Sequence, residues 1–198
     1  MFLKIWRINM RVISGKFSGR KISSPKGKGI RPTSDRFKET LFNIIEYGLK
    51  INLKDKNILD VFAGSGSLGI EAISRGAKSC LFIDKSSISI ETIQKNIITL
   101  DISSNSNCLK TDVNRISKFS RAPESKFDII FSDPPYINND LNIVAIDKLI
   151  DKGWLNDNAY LFIETSQKNE IPEINFFDFQ DKRVIGDSSL LIYLSTSY

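Results

Sequence analysis

Histidine is absent from the 198-residue chain, and cysteine occurs only twice, at Cys80 and Cys108. Without histidine, the usual zinc sites, Ser-His-Asp nucleophiles and histidine general bases are excluded. The two cysteines form no metal-spaced cluster, and their small number fits a reducing compartment. Cys80 lies in the strand-like run S-C-L-F-I-D, where a small core residue is expected. We therefore expect chemistry that uses no metal ion.

Long apolar runs are also missing, since none approaches the roughly 20 residues that cross a bilayer. The first nine residues, M-F-L-K-I-W-R-I-N, are interrupted by Lys4 and Arg7 and so lack the apolar centre of a signal peptide. Hydrophobic residues make up 41% and charged residues 26%, which is ordinary for a globular protein. We expect a cytoplasmic protein that does not bind membranes.

Acidic residues are scarce near the N-terminus. Residues 1–38 contain eleven lysines and arginines and a single acid, Asp35, for a charge of +10. Because the whole chain carries +5, the remaining residues sum to −5. A basic arm on an acidic body favours a phosphate-bearing polymer as partner, with Lys26 and Lys28 as contacts. The alternative is a solvated tail with little structure.

Alternating apolar segments predict a doubly wound α/β fold with a mostly parallel sheet. The predicted strands are 57–62, 79–83, 107–109, 127–132, 159–164, 176–185 and 188–194, and the predicted helices are 67–75, 86–100 and 141–152. A turn at Gly186 and Asp187 joins the last two strands into an antiparallel hairpin.

The N-terminal region has its own structural signals. Short β-prone runs around Gly15 and Gly19 predict a hairpin over 10–22, and 23–33 is a Gly/Pro/Lys loop. Thr33 or Ser34 can cap a helix whose apolar residues extend to Leu49. We expect 1–9 to be a disordered extension, 10–50 to form a basic hairpin, loop and helix, and 51–198 to form the main domain.

The segment I-L-D-V-F-A-G-S-G-S-L-G-I-E-A carries a glycine loop between a strand and a helix. Gly64, Gly66 and Gly69 have the G-x-G-x-x-G spacing, and Asp84 ends the next strand twenty residues past Gly64. Such glycines let a ligand approach the backbone, and such an acid binds ribose hydroxyls. A tight turn that packs helix on strand would explain the glycines but not Asp84. The pattern favours a nucleoside-containing cofactor.

Two further acids indicate which cofactor binds. Asp60 ends the strand before the glycines, where a carboxylate would repel a pyrophosphate but suit a cationic ligand such as S-adenosylmethionine. Alternatively, Asp60 is a turn aspartate bonded to nearby backbone amides. Asp112 follows the third strand, where it can accept a hydrogen bond from an adenine amino group. The alternative for Asp112 is a helix cap or turn residue.

The run F-D-I-I-F-S-D-P-P-Y ends a strand with Asp133, Pro134, Pro135 and Tyr136. At the carboxyl edge of the sheet, the Asp133 carboxylate and the Pro134 carbonyl can accept both N–H groups of an exocyclic amine. This pulls the nitrogen toward tetrahedral geometry and aims its lone pair at a methyl donor, while Tyr136 stacks on the base. The alternative is an ordinary Pro-Pro turn.

The pairing of D-V-F-A-G-S-G-S-L-G-I-E-A with S-D-P-P-Y resembles class I S-adenosylmethionine-dependent methyltransferases that act on amino groups. R-V-I-S-G-K-F-S-G-R-K-I followed by R-P-T-S-D-R-F-K-E-T-L-F-N-I-I resembles the RsmD family, which methylates guanine N2 in bacterial 16S rRNA. The resemblance implies a seven-stranded Rossmann-like sheet, a monomer, and a partly assembled small ribosomal subunit as substrate. It implies that the cofactor is bound by Asp60, Gly64, Gly66, Asp84 and Asp112. It implies that the guanine is held by Asp133, Pro134 and Tyr136, and that the residues near the RNA are Arg31, Thr33, Ser34 and Arg36.

Several other functions share part of this pattern. An adenine-N6 methyltransferase uses the same D-P-P-Y logic but normally needs an extra target-recognition region. A glutamine-N5 protein methyltransferase usually has Asn at the position of Asp133. A nicotinamide dehydrogenase explains the glycines and leaves the acceptor turn and the basic arm unexplained. A non-catalytic RNA-binding assembly factor on the same scaffold is the alternative outside the enzymes.

Overall fold

A computed structural model describes residues 10–25, 33–119, 126–134 and 140–196. The strands are β1 (Met10–Arg11), β2 (Lys21–Ile22), β3 (Asn57–Val61), β4 (Ser79–Asp84), β5 (Ser106–Lys110), β6 (Phe127–Ser132), β7 (Leu155–Ser166), β8 (Phe177–Ile185) and β9 (Ser188–Ser195). The helices are α1 (Asp35–Asn43), α2 (Ser67–Ser74), α3 (Ser87–Leu100) and α4 (Asp140–Asp151). Short helical turns lie at Gly15–Phe17, Ile44–Gly48 and Val113–Arg115.

Seven strands form one sheet in the order β5-β4-β3-β6-β7-β9-β8. The pairs from β5 to β7 are parallel, and β9 runs antiparallel to both β7 and β8. The strand order steps outward from β3 in both directions, which is the doubly wound arrangement. The predicted fold class, with its C-terminal antiparallel hairpin and its small N-terminal hairpin, is confirmed.

The sheet buries side chains on both faces, as the near-continuous apolar run of β3 requires. Successive residues of β3 alternate, so that Ile58 joins the core under α1, α2 and α3, and Leu59 joins the core under α4. The aromatic rings of Phe42 and Phe131 meet edge to face at 5.7 Å between α1 and β6. This contact packs α1 directly against the central strand of the sheet.

The N-terminal hairpin, β1 with β2, docks on α2. Both carboxylate oxygens of buried Glu71 accept backbone N–H groups, from Ile13 at 2.7 Å and from Ser14 at 2.9 Å. The Ser74 hydroxyl donates to the Ser14 carbonyl at 2.5 Å and accepts from the Phe17 N–H at 3.0 Å. Because a two-residue ladder is marginal alone, these bonds and the shared core hold the hairpin in place.

Two elements differ from their predicted bounds by more than two residues. The N-terminal helix is α-helical only to Asn43 and continues as a wider π-helical turn, Ile44–Gly48. Strand β7 begins at Leu155, earlier than predicted, because Leu155 pairs with Phe127 ahead of a bulge in the β6 ladder. The predicted disordered extension, 1–9, lies outside the described residues, and the domain division at residue 50 stays a prediction. Within the described ranges, no helix has the length and apolar character needed to cross a bilayer.

Candidate active site

Strand register brings the predicted site segments to one edge of the sheet. Val61, the last residue of β3, pairs with Ile83 on β4 and with Ser132 on β6. The ends of β3, β4 and β6 therefore lie at the same level of the sheet. The glycine loop follows β3, Asp84 is the last residue of β4, and Asp133 follows β6. This is the carboxyl edge of the parallel strands, where ligands of doubly wound sheets bind.

The glycine loop contains two glycines in the left-handed backbone conformation. Gly64 and Gly66 have positive φ angles of 55° and 76°. A Cβ on Gly66 would lie 3.1 Å from the Phe82 ring and 3.2 Å from Ile93. Phe62, which opens the loop, also has a positive φ of 58°, an uncommon conformation for a bulky side chain.

Asp84 fastens the loop to the neighbouring strand. One carboxylate oxygen accepts the Gly64 N–H at 2.9 Å, and the other accepts the Ser86 N–H at 2.8 Å. A carboxylate has about four acceptor positions, so these two bonds leave capacity for two ligand hydroxyls. Asp84 can therefore both shape the loop and bind a ribose, and the ribose contact stays a prediction.

Asp60 lies beneath the start of α2, with 3% of its surface exposed. Its Oδ2 accepts the Gly69 N–H at 2.9 Å, which is the backbone contact of the alternative interpretation given above. Burial raises the pKa of the Asp60 carboxyl to about 8, and the negative charge of Asp84 adds to this, while the Gly69 N–H opposes it. At neutral pH the carboxyl is thus mostly protonated, and a nearby cation would favour its ionisation. Direct contact between Asp60 and a cofactor stays a prediction.

Asp112 lies just beyond the carboxyl end of β5. Its Oδ1 accepts the Asn114 N–H at 3.0 Å and so caps the helical turn Val113–Arg115. This is the capping role that the sequence left open. The contact with adenine stays a prediction. Asp112 follows β5, the strand that pairs with β4, so one nucleoside could reach both Asp84 and Asp112.

The acceptor turn follows β6 directly. Asp133 is partly buried and Pro134 is buried, whereas Pro135 and Tyr136 lie outside the described residues. Thr33 Oγ1 lies 3.5 Å from Asp133 Oδ2, at the long end of hydrogen-bond distances. The N-terminal arm therefore reaches the acid that is predicted to hold the target amine.

The other predicted RNA-binding residues divide into two groups. Lys26, Lys28 and Arg31 lie outside the described residues. Ser34 is the N-cap of α1, where its side chain accepts the Phe37 N–H at 3.1 Å, and Arg36 is exposed on the first turn of that helix. A structural role for Ser34 is therefore established, and its contact with RNA stays a prediction.

Two polar residues at this edge were not predicted. Asn96 on α3 is buried and donates to the Ser65 carbonyl of the glycine loop at 3.1 Å. Glu164, which follows the Ser132 partner Ile163 on β7, is buried and accepts a hydrogen bond from Ser188 at 2.7 Å. The sequence held one signal for each residue: Asn96 is an amide on the apolar face of a helix, and Glu164 is a carboxylate at the end of the predicted strand 159–164. In the part of the chain that the structure describes, no cluster of three or more potential metal ligands occurs.

Seven strands with a reversed final hairpin, and a glycine loop facing an acidic turn across one sheet edge, define the class I methyltransferase fold. The ribosomal protein L11 methylase of Lactobacillus delbrueckii has this fold too, with a TM-score of 0.64 at 22% identity over 86% of this chain and 83% of that one.

A family model described as "Conserved hypothetical protein 95" matches residues 10–194, and the chain belongs to this family. The "Ribosomal RNA small subunit methyltransferase D" of Haemophilus influenzae is 39% identical over 188 residues, 93% of each chain. The solved structure of the Escherichia coli protein yhhF superposes with a TM-score of 0.80 at 31% identity, covering 96% of this chain and 99% of that one.

Proposed function

We propose that the protein transfers a methyl group from S-adenosylmethionine to the exocyclic N2 of one guanine in 16S rRNA. The observation that carries this proposal is the register of β3, β4 and β6, which sets the glycine loop, Asp84 and Asp133 side by side. Relatives named for small-subunit rRNA methylation, at 36% to 39% identity, support the RNA methyltransferase activity. The choice of guanine N2 rests on the acceptor turn and on the motif resemblance.

The residues around the glycine loop fit S-adenosylmethionine. Bound there, it would supply an electrophilic methyl group on a sulfonium, and an amine nitrogen would attack the methyl carbon with the neutral thioether as the leaving group. Asp84 offers acceptors to the ribose hydroxyls, and the open backbone at Gly64 and Gly66 lets the methionine part approach. Asp60 would interact favourably with a bound cation. The attraction between the two charges would offset the cost of keeping an ionised carboxylate buried.

The acceptor turn accounts for the reactivity of a weakly nucleophilic amine. In guanine the N2 lone pair is delocalised into the ring. When Asp133 and the Pro134 carbonyl accept the two N–H hydrogen bonds, the nitrogen is held near tetrahedral geometry with its lone pair toward the methyl carbon. As the N–C bond forms and the S–C bond breaks, one N–H proton leaves the nitrogen for the Asp133 carboxylate or for water.

The basic arm supplies the electrostatic part of RNA binding. Residues 1–38 carry an excess charge of +10, and Thr33 of this arm lies 3.5 Å from Asp133 of the acceptor turn. Phosphate contacts position an RNA without specifying its sequence, so the target guanine must be presented from a loop or swung out of a helix. We propose that a monomer in the cytoplasm acts on a partly assembled small subunit.

The acceptor role of Asp133 is tested by Asp133→Ala in the purified protein. We expect turnover on small-subunit RNA or particles to fall by a factor of about 100 or more, as for loss of one transition-state contact. Affinity for S-adenosylhomocysteine, measured by calorimetry, should stay within twofold of the wild type. The reason is that Asp133 holds the amine and not the cofactor.

Asp178→Ala is the matched control, because Asp178 is an exposed carboxylate on β8, at the far end of the sheet. It should leave both turnover and affinity unchanged. Equal losses of turnover and affinity in Asp133→Ala would move Asp133 into the cofactor site. Full activity in Asp133→Ala would remove it from the reaction.

A further inference from the structure

Asn96 joins the glycine loop to the N-terminal arm through one buried side chain. Its Nδ2 donates to the Ser65 carbonyl at 3.1 Å and to the Ser23 carbonyl at 3.0 Å. Its Oδ1 accepts the Ser23 N–H at 2.7 Å. The orientation of the amide is unambiguous, because only the NH₂ group can donate to two carbonyls and only the oxygen can accept the N–H.

The loop peptide that Asn96 holds is central to the predicted cofactor site. Ser65 lies between Gly64 and Gly66, and the Gly66 N–H donates to the Ala63 carbonyl at 2.7 Å. The Ser65–Gly66 peptide is therefore fixed at its oxygen by Asn96 and at its nitrogen by the loop itself. Ile93, one turn earlier on α3, would lie only 3.2 Å from a Cβ at Gly66, so the same helix face also supports the loop by packing.

The arm segment that Asn96 holds leads into the basic loop. Ser23 follows β2 and precedes residues 26–32, which contain Lys26, Lys28 and Arg31. Asn96 is 2% exposed, so water cannot replace any of its three partners without opening the structure. A displacement of either the arm or the loop would therefore break a bond to Asn96 and leave part of its buried amide without a partner.

We propose that Asn96 is a positioning residue that couples occupancy of the cofactor loop to the conformation of the basic arm at Ser23. The inference rests on the proposed function, because it takes residues 63–67 as the cofactor loop. When a cofactor orders the loop, the Ser65 carbonyl stays on Asn96, and Asn96 in turn keeps Ser23 in place. Cofactor binding thus stabilises the start of the RNA-binding loop, and by reciprocity an ordered arm favours cofactor binding.

Hydrogen exchange of the unmodified full-length protein tests the coupling first. Added S-adenosylhomocysteine should slow amide exchange in residues 63–67 and also in residues 20–25. Protection confined to the loop would overturn the proposal, since the arm would then not sense the ligand. Absence of any binding would instead contradict the proposed function, so the two failures are distinguishable.

Substitutions then test whether Asn96 transmits the effect. Asn96→Asp keeps an acceptor for the Ser23 N–H but sets an oxygen against two carbonyls, and we expect a roughly tenfold loss of S-adenosylhomocysteine affinity. Ser23→Pro removes the N–H that Asn96 Oδ1 accepts and leaves both partners of the Asn96–Ser65 bond, and we expect a roughly threefold loss even though the substitution lies outside the loop. In Asn96→Asp the protection of residues 20–25 should disappear.

Arg20→Gln is the matched control, because Arg20 ties the same arm to the same helix without touching the loop. Its Nη2 donates to the Thr99 carbonyl at 3.0 Å. This variant should bind S-adenosylhomocysteine like the wild type. A loss equal to that of Asn96→Asp would mean that any loosening of the arm matters, which contradicts a specific role. Wild-type affinity in both Asn96→Asp and Ser23→Pro would contradict it as well.

Discussion

At the scale of single residues, Asp60 is a buried carboxyl with a strongly raised pKa. Burial raises the pKa of its carboxyl to about 8, from a usual value of 3.8, and its visible partner is the Gly69 N–H. A protein that kept this acid only for packing would do better with an uncharged side chain. Its position under the glycine loop fits the proposed contact with a cationic ligand, which would stabilise the ionised form.

The raised pKa predicts how stability depends on pH. Between about 4 and 8 the folded protein holds a proton on Asp60 that the unfolded chain has released, so the free energy of unfolding falls as pH rises through that window. One such group contributes a slope of at most about 1.4 kcal/mol per pH unit. Urea unfolding of the ligand-free protein between pH 5 and pH 8 measures this slope.

Asp60→Asn supplies the comparison, because the amide stays neutral and its oxygen can still accept the Gly69 N–H. The variant should lose less stability than the wild type as pH rises. All other titrating groups are common to both proteins, so the difference isolates Asp60. Parallel curves would show that the Asp60 carboxyl titrates normally.

At the scale of elements, the N-terminal hairpin depends on α2 more than on its own ladder. Gly15 has a positive φ of 81°, and a Cβ there would lie 1.9 Å from the Ser74 carbonyl oxygen. Buried Lys38 adds a tie from α1, since its ammonium donates to the Arg11 carbonyl at 2.5 Å and pairs with Asp35 at 3.4 Å. The hairpin of the basic arm is therefore held on both α1 and α2.

Gly15→Ala should undock the hairpin from α2. We expect a loss of about 2 to 4 kcal/mol in the free energy of unfolding, from backbone strain and from the clash with Ser74. Gly19→Ala is the control: φ is 77° there, but a Cβ would meet nothing within 4 Å, so only the backbone cost of about 1 kcal/mol applies. Equal losses in urea unfolding would mean that the Ser74 contact does not hold the hairpin.

Local sequence signals predicted an element well where a short local pattern sets its bounds. Ser34 caps α1 as expected, and strand 127–132 has the predicted bounds. Strand β7 was predicted too short because residues 155–158 include Asn156, Asp157 and Asn158, which resemble a turn. Pairing with β6 and the positive φ of 59° at Asn158 accommodate them within the strand. Such pairing depends on residues far away in the chain.

In the whole molecule, the sheet topology brings together site residues that the motifs place only along the sequence. The sequence placed Asp60, Asp84, Asp112 and Asp133 at strand ends, and the parallel register brings these ends to one edge. The buried contacts between distant segments were not predictable. Asn96 and Ser65 are 31 residues apart, and Asn96 and Ser23 are 73 apart, so periodicity within a helix carries no information about either bond.

Positive charge is concentrated in the N-terminal arm, and the rest of the chain is acidic. The +10 of residues 1–38 stands against −5 on the remainder, so a polyanion is drawn toward the arm and away from the acidic body. The arm meets the acceptor turn at Thr33 and the glycine loop through Asn96.

The most direct measurement is mass mapping of methylated nucleotides in small-subunit RNA from cells with and without this gene. We predict that one N2-methylguanine disappears without the gene and returns with the wild-type gene but not with Asp133→Ala. An unchanged 16S methylation pattern, or a methyl group lost from adenine instead of guanine, would contradict transfer to guanine N2.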